Sequence, residues 1–541
     1  MEITVPGSNA PTAPPVTRRR FLSTAAAGLG VALAGRRAAA QPAGRSPANT
    51  MVVGGWSEPR TMDPAIEVDQ WGRSILKNAY DTLVDREGGS IELKPSLARK
   101  WTVSNDGRTY TFDIRDDVKF VDGTRLDAEA VRLGLERIRT INQGVAWMLA
   151  VVDRITTVNA TTLRIDLKER YTPFLETLFW FGIPSPTAVQ AHDKGDQARE
   201  WLRNHTAGSG PYQLDSWEPG QQVVTVRNAG SWKGFASRTP IEALVGRVIP
   251  DPSTQRLMLE RGDLDVSQIT SVDDIPALQR NADIVVQADP TILRQYYLFL
   301  NTKKGPTADR NVRQALAWAY DYEAHNQLAL KGFAKPAMGP FPPEMAGGTI
   351  PNIVPYRRDP QKAKEALAKS QWPKGGFKLD YYWVSGLAEE KISGELLQSN
   401  VRELNIEISI QAFAFPQIIQ FMAKPETAPH IVPLYTSATI NHPDGFLYFL
   451  YYSKGSRNWG FYENARVDDL ILQARREADR AKATAMYQEI SRIVTDDAVS
   501  INVNRPVNVD YFRKWVKGYT YNPMYIKMFR LHEMWLDGKR A

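Results

Sequence analysis

The chain of 541 residues contains no cysteine. It can form no disulfide, offers no thiolate to a metal and has no cysteine to carry a lipid. Histidine is scarce: His192, His205, His325, His430, His442 and His532 are the full set, and none lies in a His-Glu-x-x-His helix or another zinc-ligand spacing. No G-x-S-x-G elbow surrounds a serine; Ser209, in AGSGPYQL, sits among turn residues. A G-x-x-x-x-G-K-[ST] phosphate loop is missing too. These absences weigh against a hydrolase, although a triad is assembled in space and not along the chain. Beyond the N-terminal segment no apolar run is long enough to span a bilayer, which takes roughly 20 residues.

With 43% hydrophobic and 23% charged residues the composition is that of a soluble globular protein, and its length implies two or three lobes. The formal charge is +7, but the first forty residues hold five Arg (Arg18, Arg19, Arg20, Arg36, Arg37) against Glu2, so without them about +3 remains. The basic excess is therefore mostly local and does not imply a nucleic-acid partner. In TRRRFLSTAAAGLGVALAGRRAAAQPA a basic region precedes the apolar stretch 21–34 and small residues ending at Ala38, Ala39 and Ala40. Thr17-Arg18-Arg19-Arg20-Phe21-Leu22 fits a twin-arginine signal peptide over residues 1–40, and export to the periplasm is expected.

From Met51 onward, alternating strands interleave with amphipathic helices without a repeat. YTFDIR places Tyr110, Phe112 and Ile114 on one face; LRIDL and IEISI alternate in the same way. Asp127, Asp309 and Asp359-Pro360 each precede a helical apolar stripe, and another stripe runs through Met486, Ile490 and Ile493. This is an α/β pattern spread over more than one lobe. Aromatic residues are abundant, with 14 Trp and 21 Tyr and clusters such as QYYLFL, YYW and LYFLYY. Most belong to cores, yet organic ligands are commonly held by such side chains with a few polar groups to orient them.

Several blocks then appear in an order and spacing that resemble extracellular solute-binding protein family 5, the peptide- and nickel-binding components of bacterial ABC importers. They are SEPRTMDP, LKPSLARKWTVSNDGRTYTFDIRDDVKFVDGTRLDAEAVRLGLERI, GSGPYQLDSWEPGQQVVTVRNAGSWKG, IPDPSTQRLMLERGDLDV and FLNTKKGPTADRNVRQALAWAYD. Within them Gly208, Gly210 and Pro211 read as a tight turn into a strand, and Lys303 and Arg313 as solvated surface or local ion pairs. The resemblance implies an α/β, periplasmic-binding-protein-like type II fold of two lobes, with an extra subdomain on the larger. It implies a first lobe over 41–292 plus 507–541 with the subdomain inserted at about 71–206, a second lobe over 293–506, and crossings near 293–301 and 501–506. It also implies an ABC permease and ATPase complex at the inner membrane as partner, a monomeric receptor, no cofactor or resident metal, and no catalysis. The solute would be a peptide or another small polar organic molecule.

The stretch TINHPDGFLYFLYYS lies where the family carries a cleft segment of the type W-x-x-D-x-x-D-P-D-x-F. Thr436 takes the Trp position, Thr439 the Asp that holds a peptide's amino terminus, and His442 the acid before Pro; Asp444 and Phe446 are kept. Threonine accepts a hydrogen bond from an ammonium but cannot neutralise it. Glu58 matches an acidic position facing the ligand, or stands as a turn residue before Pro59. Trp147, Asn458 and Trp459 complete the candidate pocket, with core packing as the alternative for both Trp. Two rival readings are an exported serine-type hydrolase and a binding protein for a haem or metal complex.

Overall fold

The computed structural model describes residues 47–539, apart from 270, 291, 346–352 and 354. Two large mixed sheets organise it. The first takes its strands in the order Ile284–Asp289, Asn508–Arg513, Val266–Ser267, Thr50–Gly55, Ala243–Val248, Gln222–Arg227, Tyr212–Glu218. Thr50–Gly55 runs parallel to both of its neighbours. The second runs Ala334–Pro336, Ser500–Pro506, Arg294–Leu300, Ile431–Ser437, Phe377–Val384, Ile406–Phe413, with helices such as Arg310–Ala319 and Ala388–Asn400 packed on one face. The chain passes from the first sheet to the second between Ile284–Asp289 and Arg294–Leu300, and returns between Ser500–Pro506 and Asn508–Arg513. On each side the outgoing and returning strands pair antiparallel, so the passages lie side by side.

A four-stranded antiparallel sheet forms a separate layer: Ala98–Val103, Thr109–Ile114, Thr162–Leu167, Val152–Asn159. The expected alternation holds, since Tyr110, Phe112 and Ile114 are buried while Thr111 and Asp113 are half-buried. Helix Ala128–Ile141 covers this layer, and Asp127 accepts from the Ala130 N–H as its N-cap. Its Arg137 meets Asp63 in a buried bidentate pair, Nη1 to Oδ1 at 2.8 Å and Nη2 to Oδ2 at 2.5 Å. That pair ties the layer to the opening segment of the chain. Asp309 and Asp359 likewise cap Arg310–Ala319 and Pro360–Ala368, and the last apolar stripe is helix Arg480–Asp496.

One local reading is extended and another corrected. The chain bends at Gly210 and Pro211 directly into strand Tyr212–Glu218, and the glycines also serve close approach: a Cβ would stand 2.0 Å from the Ala79 carbonyl oxygen at Gly208 and 2.3 Å from that of Asn78 at Gly210, and the Gly210 N–H donates to Ala79. Lys303 does pair at the surface with Glu463, at 2.7 Å. Arg313 is 5% exposed, however, and donates to the carbonyls of Thr307, Ala308 and Asp497. These carbonyls at chain bends have no helical partner, and a buried guanidinium satisfies three of them at once; burial lowers its pKa.

Candidate ligand-binding site

The second sheet has one face on its own helices and another in a core shared with helices Asp444–Leu450, Ala465–Ala474 and Arg480–Asp496 and with the four-stranded layer. Tyr296, Leu298 and Leu300 lie on the former; Gln295, Tyr297 and Phe299 alternate onto the latter, with Val432 and Leu434 beside them. Segment 337–345 lies across that inner face: Gln295 Nε2 donates to the Gly339 carbonyl at 2.8 Å and Tyr297 OH to that of Pro340 at 2.9 Å. Arg505 holds Glu344 in a largely buried ion pair at the same place.

Next to the crossover this face carries unsatisfied polarity. Gln295 pairs with Thr436 in the ladder, both are buried, and neither Gln295 Oε1 nor Thr436 Oγ1 has a partner among the described residues. Buried polar atoms are nearly always paired in native proteins, so two such orphans on one cross-strand pair mark a place where a ligand or water belongs. Gln295 carried a signal that the sequence reading passed over: a lone amide heading the otherwise apolar QYYLFL strand.

The following segment rests on the four-stranded layer and its helices. Trp180 Nε1 donates to the Thr439 carbonyl at 2.5 Å, and the Asn441 N–H donates to Glu176 Oε2 at 3.2 Å. Tyr171 OH donates to Asp444 Oδ2 at 2.9 Å, and Arg475 Nη2 lies 3.3 Å from the same oxygen. Burial raises the Asp444 carboxyl above its ordinary value, and Arg475 opposes that shift. His442 receives the Asp444 N–H on Nδ1 at 3.3 Å and sets its ring edge-on to Tyr487. Burial, helped by Arg475, pushes its pKa down to about 3, so the imidazole is neutral at physiological pH. No group of three or more His, Asp or Glu able to hold a metal occurs among the described residues.

The remaining candidates are dispersed. Glu58 Oε2 accepts from Trp217 Nε1 at 3.3 Å and from the Gly220 N–H at 2.8 Å, at the hairpin joining Tyr212–Glu218 to Gln222–Arg227. Trp147 lines a cavity of about 760 Å³, and Asn458 and Trp459 line another of about 600 Å³. Thr436, Thr439, His442 and Glu58 border neither. Asn458 organises its own loop, exchanging hydrogen bonds with the Tyr462 backbone and donating to the Tyr452 carbonyl.

Residues 92–458 match the family model for bacterial extracellular solute-binding proteins, family 5 (middle). The chain belongs to this family. Over 502 residues it is 30% identical to the probable D,D-dipeptide-binding periplasmic protein DdpA of Escherichia coli, covering 90% of this chain and 94% of that one. It is 28% identical to the glutathione-binding protein GsiB of Shigella flexneri, over 83% of this chain and 88% of the relative. Among solved structures, the periplasmic binding protein DppA of Helicobacter pylori, in complex with the peptide STSA, superposes with a TM-score of 0.77 at 25% identity. That match covers 90% of this chain and 98% of the other. The fold is thus the type II, two-lobed α/β architecture of family 5, and the chain is a solute-binding component of an ABC importer whose relatives are binding proteins.

Proposed function

We propose that this chain captures a peptide or another small polar organic solute between two closing lobes and hands it to an inner-membrane ABC permease. The observation that carries the reading is the Gln295–Thr436 pair, two buried side-chain oxygens without partners beside the interlobe passages. A ligand amide supplies what both need, an N–H for Gln295 Oε1 and an acceptor or donor for the Thr436 hydroxyl. The relatives named for a D,D-dipeptide and for glutathione are in keeping with an amide-bearing solute. The lobes are 41–292 plus 507–541, with the subdomain at about 71–206, and 293–506. The two passages between the lobes form a hinge, and closure about it presents an occupied shape to the permease.

The ligand does not rely on a free ammonium. Thr439 replaces the acid that would neutralise one, and Glu58 is turned toward Trp217 and Gly220 at the hairpin, so neither places a carboxylate at that position. Thr436, Thr439, His442 and Gln295 line the cleft, Trp147, Asn458 and Trp459 its approaches. The receptor is a monomer exported by the twin-arginine route. Native mass spectrometry of protein purified from the periplasm tests the reading: one retained organic ligand per chain is expected, and adding it back to stripped protein raises the melting temperature by mass action. Protein that emerges empty and gains no stability from di-, tri- or tetrapeptides overturns it.

A further inference from the structure

The cavity of about 760 Å³ between the four-stranded layer and helix Asp444–Leu450 has a composition of its own. On one side the short turn Ala146–Leu149 buries Ala146, Met148 and Leu149, while Trp147 stays 41% exposed and faces the cavity. Its ring meets Phe449 edge-on at 4.8 Å. An indole left open beside a second aromatic ring offers an unfilled surface to a flat group. On the other side Arg475 lies over Tyr448 and Tyr171, 3.9 and 4.7 Å from their ring centres. Its Nη2 contacts Asp444, but its buried Nε has no partner among the described residues.

The charges at the rim lean one way. Lys168 donates to the Ala150 carbonyl at 2.9 Å, and Lys454 is exposed with no ion pair or hydrogen bond among the described residues. Glu169, the one acid in the lining, is held by Arg476 at 2.6 Å. With Asp444 set against Arg475, two lysines remain uncompensated around an aromatic floor. We infer that this cavity binds a flat aromatic group carrying a carboxylate, either an isolated aryl carboxylate or the aromatic carboxy-terminal residue of a peptide. The ring packs on Trp147 and Phe449, and the anion lies between Lys454, Lys168 and the Arg475 edge. The inference rests on the solute-binding reading but concerns a surface apart from Gln295 and Thr436.

Calorimetric titration of the purified protein with four probes tests it: indole-3-acetate, tryptamine, the tripeptide Ala-Ala-Trp, and the same tripeptide as its carboxamide. At least one of the two acids is expected to bind at millimolar concentration or tighter, and neither tryptamine nor the carboxamide to bind comparably. Indole-3-acetate binding identifies a free aryl carboxylate as sufficient; binding of Ala-Ala-Trp alone assigns the site to a peptide terminus. Lys454→Glu and Trp147→Ala should each weaken the bound acid about tenfold, with circular dichroism and melting temperature unchanged. Absence of binding by both acids, equal binding of tryptamine or the carboxamide, both of which lack a carboxylate, or affinity insensitive to both substitutions overturns the inference. A ligand retained in native mass spectrometry despite such a result would leave the solute-binding reading standing and remove only this site.

Discussion

Gln295 and Thr436 face each other across the ladder between Arg294–Leu300 and Ile431–Ser437, both buried, each with a side-chain oxygen lacking a partner among the described residues. An unpaired buried polar group costs about 1–3 kcal/mol. A ligand that bonds to both, as proposed above, recovers that cost.

Thr436→Val keeps the side-chain shape and removes the hydroxyl. The expected outcome is an unchanged or higher melting temperature in the absence of ligand, because an orphan atom is gone. Affinity for the ligand retained from the periplasm should fall about tenfold by titration. Lowered stability with unchanged affinity would place the hydroxyl in the scaffold rather than the cleft.

Thr439 holds its backbone through the Trp180 indole at 2.5 Å, so a change of its half-buried side chain leaves that contact in place. Thr439→Asp restores an anion at the position where the family resemblance implies one. A panel of peptides with free and acetylated amino termini should show a gain of about tenfold or more for the free-amine forms, since a charge-assisted hydrogen bond is added. Equal affinity for both forms would remove Thr439 from the cleft.

Glu390 gives a pH dependence with a defined sign. It lies in the first turn of helix Ala388–Asn400, is 3% exposed and accepts the Val384 N–H at 2.8 Å. Burial raises its carboxyl from the ordinary 4.5 to about 7; the Val384 N–H opposes the shift and neighbouring Glu389 adds to it. The folded chain therefore keeps a proton that the unfolded chain releases near 4.5. The stabilisation is complete below that value and is lost as pH rises through about 7. Melting temperatures between pH 5 and pH 8 should fall by an amount corresponding to about 2 kcal/mol relative to a Glu390→Gln variant. Parallel curves for the two proteins would contradict this.

Some of this architecture was readable at close range. Tyr110, Phe112 and Ile114 are buried because a strand has a period of two, and Asp127, Asp309 and Asp359 begin helices because a short acceptor satisfies amide groups that lack an intrahelical partner. Arg313 shows where such reading fails. Its charge argued for solvent, but two carbonyls of the preceding turn and the distant Asp497 carbonyl converge on it, and no local pattern records the approach of Asp497.

Trp180 and Thr439 are 259 positions apart and Tyr171 and Asp444 are 273 apart; they meet only because the segment after strand Ile431–Ser437 packs against residues that follow the four-stranded layer. The sequence by itself determined the alternating strands, the capped helices and, through the order of its blocks, membership of a two-lobed receptor family. All of these depend on neighbouring residues or on composition along the chain. Which polar groups stand unpaired in the interior, and which aromatic side chains remain open to a ligand, was decided by the tertiary structure. A hydrogen bond or an exposed ring surface depends on what the rest of the fold brings within a few ångströms, and a residue's own neighbours in sequence do not fix that.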